Sequence, residues 1–334
     1  MRAMLIYERK PIEQSPLILE EIAVPEPGPG EVRVRVKACG VCRTDLHVAE
    51  GELPAVTIPI IPGHEIVGVV DKLGEGASRF ALGDRIGVAW LRSTCGSCVF
   101  CSAGQENLCE ASRFTGYHAH GGYADYALVP EAFAYPIPET YTDAEATPLL
   151  CAGIVSFHAL RRSRIRPGGR LGLYGFGSSA HIIIQVARHW GCTVYVATRG
   201  KQHQALAEEM GAVWVGDARD PFPEKVDSSI IFAPAGDLVP VALESLRKGG
   251  TLALAGIYMT DIPPLNYEQH LFFERDVRSV TANTRQDGID FLKEAAAIPI
   301  RPQVITFPLT EANTVLQRLK HDGLRGTGVL VMDS

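Results

Sequence analysis

The chain has 334 residues, 46% of them hydrophobic, and a formal net charge of −6, enough to bury a large core divided between two domains. Its lysines and arginines gather into no run or stripe, which argues against a nucleic-acid partner. The opening MRAMLIYERKP holds an apolar run too short for a leader or a membrane span, so a cytoplasmic protein without a membrane partner is expected, its cysteines serving as ligands or core thiols rather than disulfides.

Residues 1–140 predict many short strands broken by Gly and Pro. VRVRVKA (32–38) alternates strictly, and IVGVVDKL (66–73), RIGVAWL (85–91) and YADYALV (123–129) follow, which makes this half an irregular, mostly antiparallel β domain. PEPGPG (25–30) lies between two of these strands and reads as a rigid loop. After about residue 150 the pattern changes. Strands RLGLYG (170–175), TVYVAT (193–198), SSIIFA (228–233) and TLALAG (251–256) alternate with helices through Val186 and Trp190, over HQALAEEMGA (203–212) and over VPVALESLRKGG (239–250). That alternation predicts a doubly wound parallel sheet, hence an α/β chain. Ala312, Val315, Leu316 and Leu319 mark one face of a last helix, stopped by Gly323, and TGVLVM (327–332) is a final strand that could rejoin the β half.

The sharpest motif is TCGSCVFCSAGQENLC, with Cys95, Cys98, Cys101 and Cys109 in a C-x2-C-x2-C-x7-C pattern. Two-residue gaps let tight turns aim thiolates at one point, and four converging thiolates make a closed tetrahedral zinc site. Iron–sulfur ligation is the alternative, but ferredoxin-type runs continue x3-C-P and this one does not. A closed site leaves no open coordination position, so its role is to hold the loop, worth on the order of 10 kcal/mol in small zinc peptides. A second set is Cys42 in GVCRTDLH (40–47), His64 and Glu65 in PGHEIVG (62–68), and Cys151 in LLCAG (149–153). Cys, His and Cys form a known catalytic zinc set with a fourth position left open, although each residue alone could equally be satisfied core.

LGLYGFGSSAH (171–181) carries Gly175, Gly177 and Ala180 in a G-x-G-x-x-A pattern, with Ser178 and Ser179 between, after a strand and opening a helix. The first glycine permits the turn, the second lets backbone approach a pyrophosphate, and the small third residue allows close packing. Thr198 stands where NAD-specific folds place an acidic residue on the ribose 2′-hydroxyl, and Arg199 and Lys201 follow it. The repulsive element against a 2′-phosphate is missing, so NADP(H) is favoured over NAD(H); ordinary solvated charges are the alternative for Arg199 and Lys201.

The whole chain resembles the zinc-dependent medium-chain alcohol dehydrogenases. GHEIVGVVDKLG (63–74) fits the family's G-H-E-x2-G-x5-G signature, GVCRTDLH its first metal loop and the cysteine quartet its structural zinc lobe, with Ala77 a small departure where Val is common. The resemblance implies a GroES-like catalytic domain of residues 1–151 and 289–334, a Rossmann cofactor domain of residues 152–288 and an active site in the cleft between them. It implies two zinc ions per chain: a catalytic one on Cys42, His64 and Cys151, with Glu65 a nearby transient ligand, and a structural one on the quartet. Thr44 and His47 would relay protons, Asp45 would accept the free N–H of His64, and Arg43 would contact the pyrophosphate. Trp90 matches a bulky position that narrows the pocket of yeast-type ethanol dehydrogenases, and Leu53 stands where those enzymes carry a second Trp. Homodimers or homotetramers are implied.

The implied reaction is reversible hydride transfer between NAD(P) and a primary or secondary alcohol, aldehyde or ketone through a zinc-bound alkoxide. Forming an alkoxide at neutral pH from an alcohol of pKa about 16 costs about 12 kcal/mol, more than a neutral side chain offsets, whereas zinc stabilises the oxyanion directly. A zinc-independent quinone or enone reductase of the same superfamily would not need Cys42, His64 and Cys151 together. A non-catalytic zinc or redox-sensing protein is the rival from another class.

Overall fold

The computed structural model describes residues 1–54, 57–298, 300–321, 323–324 and 326–332. The chain falls into two compact units, one of Met1–Cys151, Thr284–Ala296 and Arg301–Ser334, the other of Ala152–Asn283 and Ala297–Ile300.

Among the described residues, the first unit is built on a seven-stranded sheet whose centre is the strand Glu31–Gly40. Val32, Val34, Val36 and Ala38 are all buried, as the alternation of VRVRVKA requires for a sheet with one face on the core. Glu31–Gly40 pairs antiparallel with Glu65–Leu73, and that register sets Gly40 against Glu65. The C-terminal strand Thr327–Val331 pairs with the other edge of Glu31–Gly40, so the end of the chain does rejoin the β half. The helix Ala312–Lys320 buries Ala312, Val315 and Leu316 in the same core.

Two expected strands are redrawn. RIGVAWL is split: Arg85–Val88 stays in the large sheet, while Leu91–Ser93 leaves it to pair with Arg113–Phe114. This small ribbon forms the neck of the cysteine lobe. YADYALV becomes a strand only at Tyr126–Pro130, because Tyr123 and Ala124 bond instead to Pro62 and to the first strand, Arg2–Ile6.

The second unit holds a six-stranded parallel sheet. In chain order its strands are Arg170–Tyr174, Thr193–Ala197, Trp214–Gly216, Val226–Ile231, Leu246–Leu254 and Asp276–Ser279, and in space they run 3-2-1-4-5-6. That is the dinucleotide-fold order, with its reversal beside Arg170–Tyr174. VPVALESLRKGG is only partly helical: the helix stops at Ser245 and Leu246 begins a strand, since Leu246 is fully buried beside Val226. The short strands Trp214–Gly216 and Asp276–Ser279 and the helix Arg285–Ala297 have no strong period and escape the sequence pattern.

The units divide after Asn283, a few residues before the boundary read at 288. The reason is local. Glu106, in the cysteine lobe, accepts from the Arg285 backbone N–H at 2.6 Å and from its guanidinium at 2.8–3.1 Å. Arg285 also lies over the Phe133 ring, and Gly288 leaves room for the Tyr135 ring, 2.5 Å from where a Cβ would stand. The first turn of this helix is thereby held in the first unit. Burial opposes the Glu106 charge, but the Arg285 hydrogen bonds prevail and keep its carboxyl below the usual range. A depressed folded pKa adds stability that is complete above the unfolded value and is lost in acid. Glu106→Ala should therefore destabilise the protein at pH 7 by about 1.5–3 kcal/mol. Thermal melts of both proteins should show this gap at pH 7 and its narrowing below about pH 4; equal midpoints at pH 7 would contradict the role.

Candidate functional site

The metal-ligand candidates of the first unit come together because of strand pairing. Cys42 lies two residues beyond Gly40 and His64 one residue before Glu65, so the Gly40–Glu65 register delivers both to the same end of the sheet. Cys151 follows the short turn Pro148–Leu150. Cys42, His64, Glu65 and Cys151 each offer a donor atom, and these atoms all lie within 4.8 Å of one another. The two sulfurs are 3.8 Å apart. His64 and Glu65 are buried, and His64 Nε2 and Glu65 Oε2 have no hydrogen-bond partner among the described residues.

The local fold explains the rest of GVCRTDLH. Cys42 caps the helix Arg43–Glu50, its sulfur accepting from the Thr44 N–H at 3.5 Å while Asp45 Oδ2 accepts from the Cys42 N–H at 2.9 Å, a reciprocal capping box. Asp45 Oδ1 accepts from the Gly63 N–H at 3.0 Å and from His64 Nδ1 at 3.1 Å. Asp45 thus caps the helix and partners His64 in one arrangement. With Nδ1 donating to Asp45, Nε2 is the ring nitrogen whose lone pair would be available to a metal. Thr44 is buried, its Oγ1 3.7 Å from the Cys42 sulfur. His47, on the same helix, is paired through Nδ1 with Glu52. Arg43 is exposed at the first turn.

The electrostatics suit a cation. The hydrogen bond from Cys151 pulls the Cys42 thiol well below its ordinary range against the cost of burial, and the same bond pushes Cys151 well up. Burial pushes Glu65 well up. Two sulfurs 3.8 Å apart, one thiol drawn down and the other pushed up, are placed where a divalent ion would bind both as thiolates. A buried nitrogen without a donor, two sulfurs at contact and a spare carboxylate fit zinc.

The quartet fits it equally. Cys109 and Cys101 lie 3.6 and 3.9 Å from the Cys95 sulfur, near the edge of about 3.8 Å expected for thiolates at 2.3 Å from one zinc. The amides of Cys95, Cys98 and Cys101 point at the sulfurs of Cys109, Cys95 and Cys98 at 3.3–3.5 Å. Backbone N–H groups of Ser97 and Cys98, then the neighbouring thiols, pull Cys95 down to about 6.

Trp90 stands beside the first cluster, edge-on to His64 with centroids 4.9 Å apart and stacked on Phe114 at 4.8 Å. Leu53 and Ala77 are half-buried against the core of the same unit. In the second unit, Gly175 adopts φ +87°, a conformation that disfavours a side chain, at the carboxyl end of Arg170–Tyr174. Gly177 precedes the helix Ser178–His189 and is exposed, with nothing within 4 Å of the place a Cβ would take. Ser178 and Ser179 open the helix half-buried, and Ala180 is fully buried. This is the open, small-residue cradle that a pyrophosphate needs at a helix N-terminus. Thr198 is buried at the end of Thr193–Ala197, while Arg199 and Lys201 are exposed beyond it, Lys201 on Gln204.

Residues 28–139 match the Alcohol dehydrogenase GroES-like domain family and residues 180–297 the Zinc-binding dehydrogenase family. A probable alcohol dehydrogenase, AdhA, of Mycobacterium tuberculosis is 50% identical over 99% of this chain and 97% of its own. The chain belongs to the zinc-dependent medium-chain alcohol dehydrogenases. An alcohol dehydrogenase of Geobacillus stearothermophilus is 35% identical over the full length of both chains. Among solved structures, a cobalt- and zinc-bound thermostable alcohol dehydrogenase from Pyrobaculum aerophilum superposes with a TM-score of 0.89 at 27% identity, covering 99% of each chain. This member of the family is accordingly an oxidoreductase of alcohols that uses zinc and a nicotinamide cofactor. No helix among its described residues is long and apolar enough to cross a membrane.

Beside Gly40, which opens GVCRTDLH, two residues near the first cluster carry no motif that marks them, Glu52 and Tyr123. Gly40 is required because a Cβ there would stand 2.0 Å from Glu65 Oε2. Glu52, paired with His47, lies in GELP, where nothing in sequence reports the pairing. Tyr123 was legible only as a strand residue, yet its hydroxyl donates to Asp45 Oδ2 at 3.1 Å. Gly121 and Gly122 before it are the available signal, since close backbone approach is what paired glycines permit.

Proposed function

We propose that this alcohol dehydrogenase works with two zinc ions per chain, a catalytic one on Cys42, His64 and Cys151 with Glu65 in reserve, and a structural one on Cys95, Cys98, Cys101 and Cys109. The observation that carries the reading is the buried, unpartnered His64 Nε2 within ligand distance of two touching sulfurs and a buried carboxylate. When bound, zinc supplies Lewis acidity to the alcohol oxygen, and the nicotinamide supplies the hydride acceptor. The chain's own residues manage the proton. Thr44, buried beside Cys42, takes up the hydroxyl proton as its own moves on, and His47, whose imidazole can both accept and donate a proton, passes one to water with Glu52 holding its ring. Asp45 keeps the His64 ring aimed. Catalysis is assigned to the first unit and the cofactor to the second, with the boundary expected at 288 moved to 283. Family likeness supports a cytoplasmic homodimer or homotetramer, which light scattering on the purified enzyme would count.

Zinc analysis of variants separates the two sites. Cys42→Ala and His64→Ala should each hold one zinc instead of two and lose turnover while remaining folded, whereas Cys101→Ala should lower the thermal midpoint or impair assembly. Normal activity in Cys42→Ala with full stability in Cys101→Ala would mean that the roles are exchanged. The rival of a non-catalytic zinc protein requires one zinc or none and no alcohol-driven rise at 340 nm in the wild type.

Trp90 packs on His64 and would narrow one wall of the pocket, while Leu53 leaves the wall where a second Trp could stand open. Medium-chain or aromatic primary alcohols should therefore have a higher kcat/KM than ethanol. Hexanol, benzyl alcohol and ethanol compared side by side would decide, and a clear advantage for ethanol would overturn the pocket assignment.

The proposed cofactor is NADP(H), its 2′-phosphate read by Arg199. Thr198 offers no charge against that phosphate, and Arg199 is exposed immediately beyond it. A charge-assisted bond is worth roughly 1.5–3 kcal/mol, so a preference of about 10- to 150-fold is expected. Measured kcat/KM should be higher with NADPH than with NADH and should even out in Arg199→Ala; equal values in the wild type would leave Arg199 a solvated charge.

A further inference from the structure

Three of the four donors to the Asp45 carboxylate belong to the metal-ligand segments themselves: the Cys42 and Gly63 amides and the His64 ring. The fourth, the Tyr123 hydroxyl, comes from a separate part of the chain. Tyr123 is fully buried, and its backbone is tied on both sides, its N–H to Pro62 O at 3.0 Å and its carbonyl to the Met4 N–H at 2.9 Å. Its ring occupies space that Gly63 alone leaves open: a Cβ at Gly63, which has φ +94°, would stand 2.4 Å from Tyr123 Cδ1. The chain thus brings a phenol to a carboxylate that is 1% exposed, at the cost of a glycine beside the metal ligand.

Among the described residues Oδ2 has two donors, Cys42 N–H and Tyr123 O–H. Without the second, the carboxylate is held on that side by the helix cap alone and can rotate, moving the oxygen that orients His64 Nδ1. We propose that Tyr123 is a positioning residue for the metal centre, locking Asp45 and through it the His64 ring. The proposal rests on Cys42, His64 and Cys151 being the metal set.

Tyr123→Phe removes the hydroxyl and keeps the ring, so it isolates the hydrogen bond from the packing. Outer-sphere partners of metal ligands typically alter affinity or activity 10- to 100-fold, and one link further out about 3- to 10-fold is expected. The rate at which the two-zinc enzyme loses its first zinc to a chelator should rise by that factor, with the quartet zinc retained and kcat/KM lowered. In an Asp45→Asn background the same change should add almost nothing, because Tyr123 acts through Asp45. Unchanged zinc loss in Tyr123→Phe, an undiminished effect in the Asp45→Asn background, or a Tyr123→Phe protein that cannot be obtained folded would each overturn the proposal, the last because the hydroxyl would then serve global stability. His64→Ala tells the two failures apart: two zinc ions retained there would refute the metal set itself, whereas loss of one zinc beside an unaffected Tyr123→Phe would refute only the role of Tyr123.

Discussion

The arrangement of the first unit depends on one buried carboxylate. A carboxyl group almost without contact with water is costly unless its oxygens are hydrogen-bonded, and Asp45 meets four donors from three segments among the described residues. Each donor is also a constraint on the donor's own segment. The Cys42 amide fixes the start of the helix Arg43–Glu50, the Gly63 amide fixes the turn before Glu65–Leu73, and the His64 ring is fixed in tautomer and direction. Satisfying one carboxyl group therefore aligns two proposed metal ligands, which is why helix capping and ligand orientation cannot be separated here.

Strand register does the coarse placement that Asp45 refines. Pairing Gly40 with Glu65 brings two loop ends together, and the absence of a side chain at Gly40 lets the Glu65 carboxylate sit between them. A slip of one residue would turn Glu65 to the other face of the sheet. The bulges between Arg33 and Val34 and between Val36 and Ala38 reset the register on the way to that end, so the functional end of the strand does not follow from the regular alternation of its beginning.

The second unit solves a different problem with backbone alone. Its strand order reverses beside Arg170–Tyr174, and at that strand's carboxyl end Gly175 and Gly177 clear a space before a helix N-terminus. A helix N-terminus favours a phosphate without a side-chain charge, because its first amides and the helix dipole supply the field. At the end of the next strand the hydroxyl of Thr198 is buried, where NAD-specific folds place a carboxylate.

What the sequence determined by itself is whatever local spacing encodes: the C-x2-C-x2-C-x7-C quartet, the G-x-G-x-x-A loop, the alternating strand 32–38 and the repeated strands and helices after residue 150. These depend on neighbours a few residues apart, and so did the family signature around His64. Tertiary structure decided what depends on distant partners. Tyr123 meets Asp45 across 78 positions and Glu106 meets Arg285 across 179. The strand at Leu91–Ser93 is taken from the large sheet by Arg113–Phe114, and the helix over 239–250 is cut at Ser245 because Leu246 is needed in the parallel sheet. In each case the deciding energy is a buried hydrogen bond or a buried side chain supplied by a remote segment, and no local pattern can carry that information.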